Sequence, residues 1–424
     1  MYKVYIKQAL QMLKEDKVIS IITILGTALA ITMIMVVILT QRIKTVSIGP
    51  EVNRERTMYI GYFKDENKKR QVVNVNPIRI NNYKQYLERL TIPEKISMIA
   101  KGQWEVSTEG SDVYHPADVK YTDAAYWSIY SLSFIAGKPF TNEEFQSGIP
   151  VAVISKSLAL KLFNETTGII GNTFIIDKKP YKVIGLVKDV STLCNRAYAQ
   201  VWVPYTSDSN YSNPDMNGYE VVVLAKNKSD FLEIKSEVRK SEISNTIEPE
   251  EEKKVSFIGP FSTEELLIKT GNMDNDDPDL MKGRIRYYLA LAILLLIPAI
   301  NLSGFSLFKI LNRTSEIGIR KAFGADKKTI LMQVLYENFL TSLIGGIIGL
   351  ALSYLAINLV KDRLLERNIW GPQLLGENTI PVSAFISPWV FFYVILACIL
   401  LNFLSSGIPA WKASRLNIVE AIKN

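Results

Sequence analysis

The chain has 424 residues, 48% of them hydrophobic and 21% charged, with a formal net charge of +7. This composition excludes disorder and collagen, and two cysteines, Cys194 and Cys398, cannot build a disulfide scaffold. A single histidine, His115, leaves almost no material for His-based triads or His-rich metal sites, and no catalytic constellation stands out.

The first element is an amphipathic segment over 1–17, followed by Val18–Thr40, 23 residues without a charge. At ~1.5 Å per residue that run reaches roughly 34 Å, enough to cross a hydrocarbon core of ~30 Å. It is too long for the apolar part of a signal peptide, and Gln41, Arg42 and Lys44 follow it instead of a small-residue cleavage site, so a retained anchor is expected. Three more charge-free runs follow: Tyr287–Phe308, Asn338–Val360 and the stretch from Asn378 to Trp411, where Pro388 and Trp389 suit the start of a helix at the interface. Spans are therefore expected at 18–41, 287–311, 330–361 and 388–411. The fold class is a membrane protein with four transmembrane α-helices and a large α+β extracytoplasmic domain, 42–286, between the first two.

Charge sets the topology. Met1–Lys17 carries four basic and two acidic residues, Lys309–Glu337 six and three, and the tail after Trp411 three and one. Gln41–Arg286 balances 33 against 33, and Lys361–Glu377 three against three. The whole excess of +7 thus lies on three segments that a four-span chain puts on one side. The positive-inside rule makes that side cytoplasmic, with the loop 362–387 outside and the tail 412–424 inside. The basic charge is then a topology signal, with membrane lipid and not nucleic acid as its partner.

Within 42–286, short β-branched runs read as strands: VAVIS from Val151, TFIID from Thr173, YKVIGLV from Tyr181, QVWVPY from Gln200 and YEVVVLA from Tyr219. Helical patterns lie at NNYKQYLERL from Asn81, SKSLALKLF from Ser155 and SDFLEIKSEVRKSE from Ser229, and FSTEELLIKTG before the second span also looks helical. The acidic string DNDDPD from Asp274 lacks the glycine and later glutamate of a calcium loop and is read as a solvated linker, as is IEPEEE from Ile247. His115 and Cys194 are read as ordinary fold residues. Tyr126, Trp127, Tyr130, Trp202 and Tyr205 suit either a core or an apolar cleft, and a core is expected.

The loop over 312–329 has its own logic. Thr314 or Ser315 can cap a short helix, Glu316 favours its start, and Arg320 and Lys321 favour its end. Glu316 and Arg320 stand at i, i+4, Gly324 sits where a left-handed stop is needed, and Asp326 can cap the next helix. Ile319, Ala322 and Phe323 form an apolar stripe beside a basic face of Arg313, Arg320, Lys321, Lys327 and Lys328. So short a helix is marginal in water and must dock, either on lipid or in a groove of a partner.

EIGIRKAFGA followed by a long apolar helix resembles the coupling-helix signature of the FtsX-like, MacB-type permeases of ATP-binding cassette systems, also called type VII. IKQALQMLKEDKVISIITILGTALAI is similar to that family's N-terminus. YTDAAYWSIYSLSFIAGKPFT, VAVISKSLALKLF and YKVIGLVKDV look like the MacB-type periplasmic core, and PAWKASRLNIVEAIK resembles the exit from the fourth span. The resemblance implies a non-catalytic permease of the bacterial inner membrane, working by mechanotransmission to export a peptide, antibiotic or lipid-linked cargo. It implies contacts to a cytoplasmic ATPase from Glu316, Ile317, Gly318, Ile319, Arg320, Lys321, Phe323 and Gly324. It also implies pairing with a second permease chain, the same or homologous, with a periplasmic adaptor and outer-membrane channel as further candidate partners. Gly345, Gly346 and Gly349, with Gly26 and Ala30, would allow close helix approach in that dimer, lipid-facing glycines being the alternative. No GxxxxGK[ST] loop is present, so ATP and Mg would be bound by a separate subunit, with no cofactor in this chain. A regulatory scaffold that senses a ligand or activates an envelope enzyme is the competing reading.

Overall fold

The structure is a computed structural model. It describes residues 17–67, 72–192, 194–208, 218–244, 253–268, 279–312 and 326–365, with single residues elsewhere. The chain divides into two compact units.

The first unit holds three long helices: α1 (Lys17–Thr45, entering the second unit at Lys44), α5 (Leu280–Asn312, from Arg284 onward) and α6 (Lys327–Leu365). At ~1.5 Å per residue their 29, 33 and 39 residues are all longer than a bilayer core requires. Among the described residues, Lys17–Arg42 and Lys328–Leu359 are long and apolar enough to cross a membrane. The side chains of α5 are described only in part. Most of the expected fourth span lies outside the described residues, although Trp389, Phe392, Tyr393, Leu396 and Leu400 are helical and exposed.

α1 and α6 pack closely because α6 offers glycines where α1 passes. A Cβ on Gly345 would stand 2.8 Å from the Cβ of Thr27 and 2.9 Å from the carbonyl oxygen of Ile24. On Gly349 it would stand 2.7 Å from the carbonyl oxygen of Ala28 and 2.9 Å from the Cβ of Ile31. The approach lets the Thr32 hydroxyl donate to the Gly349 carbonyl at 3.1 Å. Gly345 and Gly349, expected from the sequence to serve a dimer contact or to face lipid, instead meet α1 of the same chain. At Gly26 a Cβ would meet nothing within 4 Å.

The second unit is α+β. Its strands are β1 (Thr57–Ile60), β2 (Tyr62–Asn67), β3 (Val72–Pro77), β4 (Lys95–Thr108), β5 (His115–Thr122), β6 (Phe134–Gly137), β7 (Val151–Ser155), β8 (Thr173–Ile176), β9 (Lys179–Val187), β10 (Val201–Pro204), β11 (Glu220–Leu224), β12 (Lys253–Ile258) and β13 (Phe261–Ser262). The main sheet runs β13-β1-β11-β4-β5-β10-β7-β9-β6, with β8 bridging β4 and β9. A separate antiparallel sheet runs β12-β2-β3. Among the described residues, only β5/β10 and β7/β9 pair in parallel in the main sheet. Helix α2 (Lys156–Phe163) follows β7, its first turn capped by the Ser155 hydroxyl and its end closed by Asn164 at φ 57°. Helices α3 (Phe231–Ser244) and α4 (Thr263–Ile268) complete the unit.

The five strand segments read from β-branched patterning are β7 to β11, and each helical pattern named in this domain carries helix, NNYKQYLERL only as wound turns over Ile80–Leu87. Tyr126, Tyr130, Trp202 and Tyr205 are buried in the core, and only Trp127 is half-buried. His115 lies half-buried on β5. IEPEEE and the acidic string up to Pro278 lie outside the described residues.

Candidate functional site: the elbow before α6 and an ionic cluster in the second unit

At the elbow, α6 starts where the sequence places a cap. The Asp326 carbonyl accepts from the Thr329 and Ile330 amides at 3.0 and 3.2 Å, closing the first turn. Just before it, Gly324 has φ +89°, a conformation that only glycine adopts without strain, and a Cβ there would meet nothing within 4 Å. The Phe323 amide donates to the Ile319 carbonyl at 3.1 Å, one helical turn upstream. Ile319 and Phe323 therefore share one face, and they are 52% and 89% exposed. Ala322 is exposed beside them. Glu316, Ile317, Gly318, Arg320 and Lys321 lie outside the described residues. What the structure brings together is an exposed apolar pair on a turn, a glycine stop and the head of a long helix.

A second feature sits where the chain leaves α1 and enters the second unit, and sequence reasoning missed it. Glu51 and Arg54 are each 4% exposed. Glu51 Oε2 accepts from Arg54 Nε at 2.8 Å and Nη2 at 2.7 Å; its Oε1 accepts from the Arg196 and Ala197 amides at 2.8 and 3.0 Å. Burial by itself would raise the Glu51 pKa, but Arg54, Arg196 and the Ala197 amide outweigh it and hold the carboxyl below its ordinary 4.5. The Arg196 guanidinium grips Glu220 through Nε and Nη2, at 2.7 Å for the shortest contact, and lies 3.6 Å above the Tyr59 ring. Lys120, fully buried on β5, donates to the Arg196 carbonyl, and burial together with Lys101 pulls its pKa well below the ordinary value. The Cys194 thiol is 3.5 Å from the Gly49 carbonyl, and burial pushes its pKa up to about 12, so it is a packing group and not a nucleophile. Residues 51, 54, 196 and 220 have no spacing motif; only the folded chain reveals them as one cluster.

Among the described residues of the elbow and the cluster, no nucleophile stands beside a base. Long apolar helices joined to a large α+β unit are the architecture of a membrane-anchored protein with a sizeable domain between its first two long helices.

Comparison with known proteins agrees. Residues 20–241 match the MacB-like periplasmic core domain, and residues 288–418 match the FtsX-like permease C-terminal region. The chain belongs to this family of FtsX-like permeases with a MacB-like periplasmic core domain. It is 26% identical over 309 residues to the uncharacterized ABC transporter permease YknZ of Bacillus subtilis (strain 168), covering 72% of this chain and 70% of that one. It is 25% identical over 303 residues to the macrolide export ATP-binding/permease protein MacB 1 of Yersinia pestis bv. Antiqua (strain Antiqua), which is 70% of this chain but 42% of that protein. The crystal structure of the extracellular domain of the ABC-type transporter YknZ from Gram-positive bacteria aligns with 47% of this chain and 99% of that one, at 19% identity and a TM-score of 0.37.

Proposed function

We propose that this chain is the permease subunit of an ABC transporter of the bacterial inner membrane. It couples ATP hydrolysis by a separate cytoplasmic ATPase to movement of its extracytoplasmic domain. Four spans, with both termini and the elbow in the cytoplasm, are the topology that the charge distribution supports. Two permease chains pair, the ATPase binds ATP and Mg, and the cargo is a peptide, antibiotic or lipid-linked molecule moved outside the membrane.

The observation that carries this reading is the elbow. Phe323 is 89% exposed on a turn that leads through Gly324 into α6, and an apolar ring so placed is favourable only where a partner groove or lipid covers it; the occupant we assign is the groove of an ATPase. α6 is in turn packed against α1 through Gly345 and Gly349, so a push on the elbow has a stiff path into two helices. Export activity in the name of the Yersinia relative supports the transport reading over the regulatory one.

The test is ATPase stimulation in proteoliposomes holding the permease and its ATPase. Gly324→Val forces a β-branched residue into a left-handed turn at a local cost of about 1–2 kcal/mol, with no packing clash. Arg320→Glu reverses a charge on the proposed docking face. Each is expected to lower stimulated ATPase activity at least about tenfold, the loss that follows when about 1.4 kcal/mol of coupling disappears. Unchanged stimulation in both variants contradicts the reading.

A further inference from the structure

The small sheet β12-β2-β3 has one guarded edge and one open edge. β12 is guarded by α3: the Phe257 amide donates to Glu242 Oε1 at 2.6 Å and Arg239 Nη1 donates to the Phe257 carbonyl at 3.3 Å, so outward-pointing groups of this strand are taken. The ends of the main sheet are guarded in other ways, β6 by a bulge between Phe134 and Ala136 and β13 by being only two residues long. β3 has none of these devices. Its six residues, VVNVNP, hold no charge, and they pair in unbroken register with β2 and, among the described residues, with no other strand.

Val72 and Val73 are 44% and 56% exposed, and Asn74 is exposed beside them. Successive side chains on a strand point to opposite faces, so Val73 and Val75 share one face, with Glu66 and Lys64 of β2 as their ladder partners, and Val72, Asn74 and Asn76 share the other. An uncharged, unbulged edge of this length is a template for another strand, and a bare one invites aggregation. The pattern is also self-complementary. Laid antiparallel about a two-fold axis through Asn74, two β3 strands set Val73 of each chain opposite Val75 of the other, Val72 opposite Asn76, and Asn74 opposite itself, so no charge of the pair faces a like charge.

We propose that β3 is the strand through which the extracytoplasmic domains of two copies of this chain join, merging two three-stranded sheets into one six-stranded sheet. This rests on the reading that two permease chains pair. A ladder of six residues is a weak contact between free molecules. Between chains already held in one complex it forms as an intramolecular step, at an effective concentration of roughly millimolar order. That advantage belongs to a second copy and not to a free peptide.

The residue on the two-fold axis supplies the test, because directly opposed Cα atoms of an antiparallel pair lie about 4.5–5.5 Å apart, within the span of a disulfide. Full-length Asn74→Cys protein, expressed as two differently tagged copies, is oxidised in membranes and separated without reductant. A reducible dimer carrying both tags is expected, at least about tenfold above that of the parent, whose own cysteines are Cys194 and Cys398, and above that of Val113→Cys, an exposed site on the β4–β5 loop. Adding Val73→Lys, which places a charge on the strand edge, is expected to return the crosslink to the Val113→Cys level. Equal crosslinking in the Asn74→Cys and Val113→Cys proteins would overturn the proposal, as would a crosslink that Val73→Lys leaves intact or one that joins the chain to a different protein. If both tags co-purify without oxidant and Asn74→Cys still gives no dimer, β3 is not the joint, while the pairing of two permease chains stands. If no second permease chain of any kind co-purifies, that pairing falls, and the proposal with it.

Discussion

Glu51→Ala is expected to destabilise the extracytoplasmic unit by about 3–5 kcal/mol, because it removes the carboxylate of a buried ion pair with Arg54 and the side-chain acceptor of the Arg196 and Ala197 amides. The readout is the denaturant midpoint of the purified full chain, followed by tryptophan fluorescence, to which Trp104, Trp127 and Trp202 of this unit contribute three of the six tryptophans. Glu94→Ala is the control. Glu94 also pairs with an arginine, Arg56, but the partners are 41% and 31% exposed, and an exposed pair contributes about 1 kcal/mol or less. Equal losses in the two variants would show that the Glu51 cluster has no special weight. The folded-state pKa of Glu51 lies below its ordinary value, so its charge stabilises the fold above the unfolded value near 4.5. That stabilisation is lost as pH falls through the folded pKa, and the difference between parent and variant should shrink in the same window.

The second large effect is expected in the membrane. Gly349→Leu places a side chain where a Cβ alone would stand 2.7 Å from the backbone of α1, and a helix backbone cannot yield as a flexible side chain does. Overpacking of this kind costs about 1–3 kcal/mol or forces the helices apart. A lowered thermal midpoint in detergent and faster proteolysis near α1 are the expected results. Gly26→Leu, at a glycine whose Cβ would meet nothing within 4 Å, is expected to change neither. Parent-like stability of the Gly349 variant would mean that α1 and α6 do not approach as described.

These two experiments fall on opposite sides of what the sequence makes legible. α1 and α6 are visible as charge-free runs because water-to-membrane transfer acts on every residue of a long segment, so the signal accumulates along the chain. The glycines of α6 are visible as small residues, but which surface they meet depends on the helix that passes them. The strands β7 to β11 are legible from β-branched runs bounded by turn residues. β1 and β13 are not, since the first is four residues long, the second two, and their pairing joins positions 58 and 262. Gly324 is legible because a left-handed stop between two helical patterns asks for glycine, and its φ of +89° agrees. The Glu51 cluster is the clearest miss. Its charges look like ordinary surface residues in sequence, and only burial together with contacts across 145 positions gives them meaning.

Coupling through this permease requires that the exposed elbow meet an ATPase. The most direct measurement is purification of the tagged full-length protein from membranes in mild detergent, with identification and counting of every protein that remains bound. The expected result is a soluble ATP-binding-cassette subunit at about one copy per permease chain, lost when Phe323→Asp places a charge on the apolar face of the elbow. An ATPase that never appears, even after crosslinking, or one retained in full by the Phe323 variant, would contradict the coupling of this permease through its elbow.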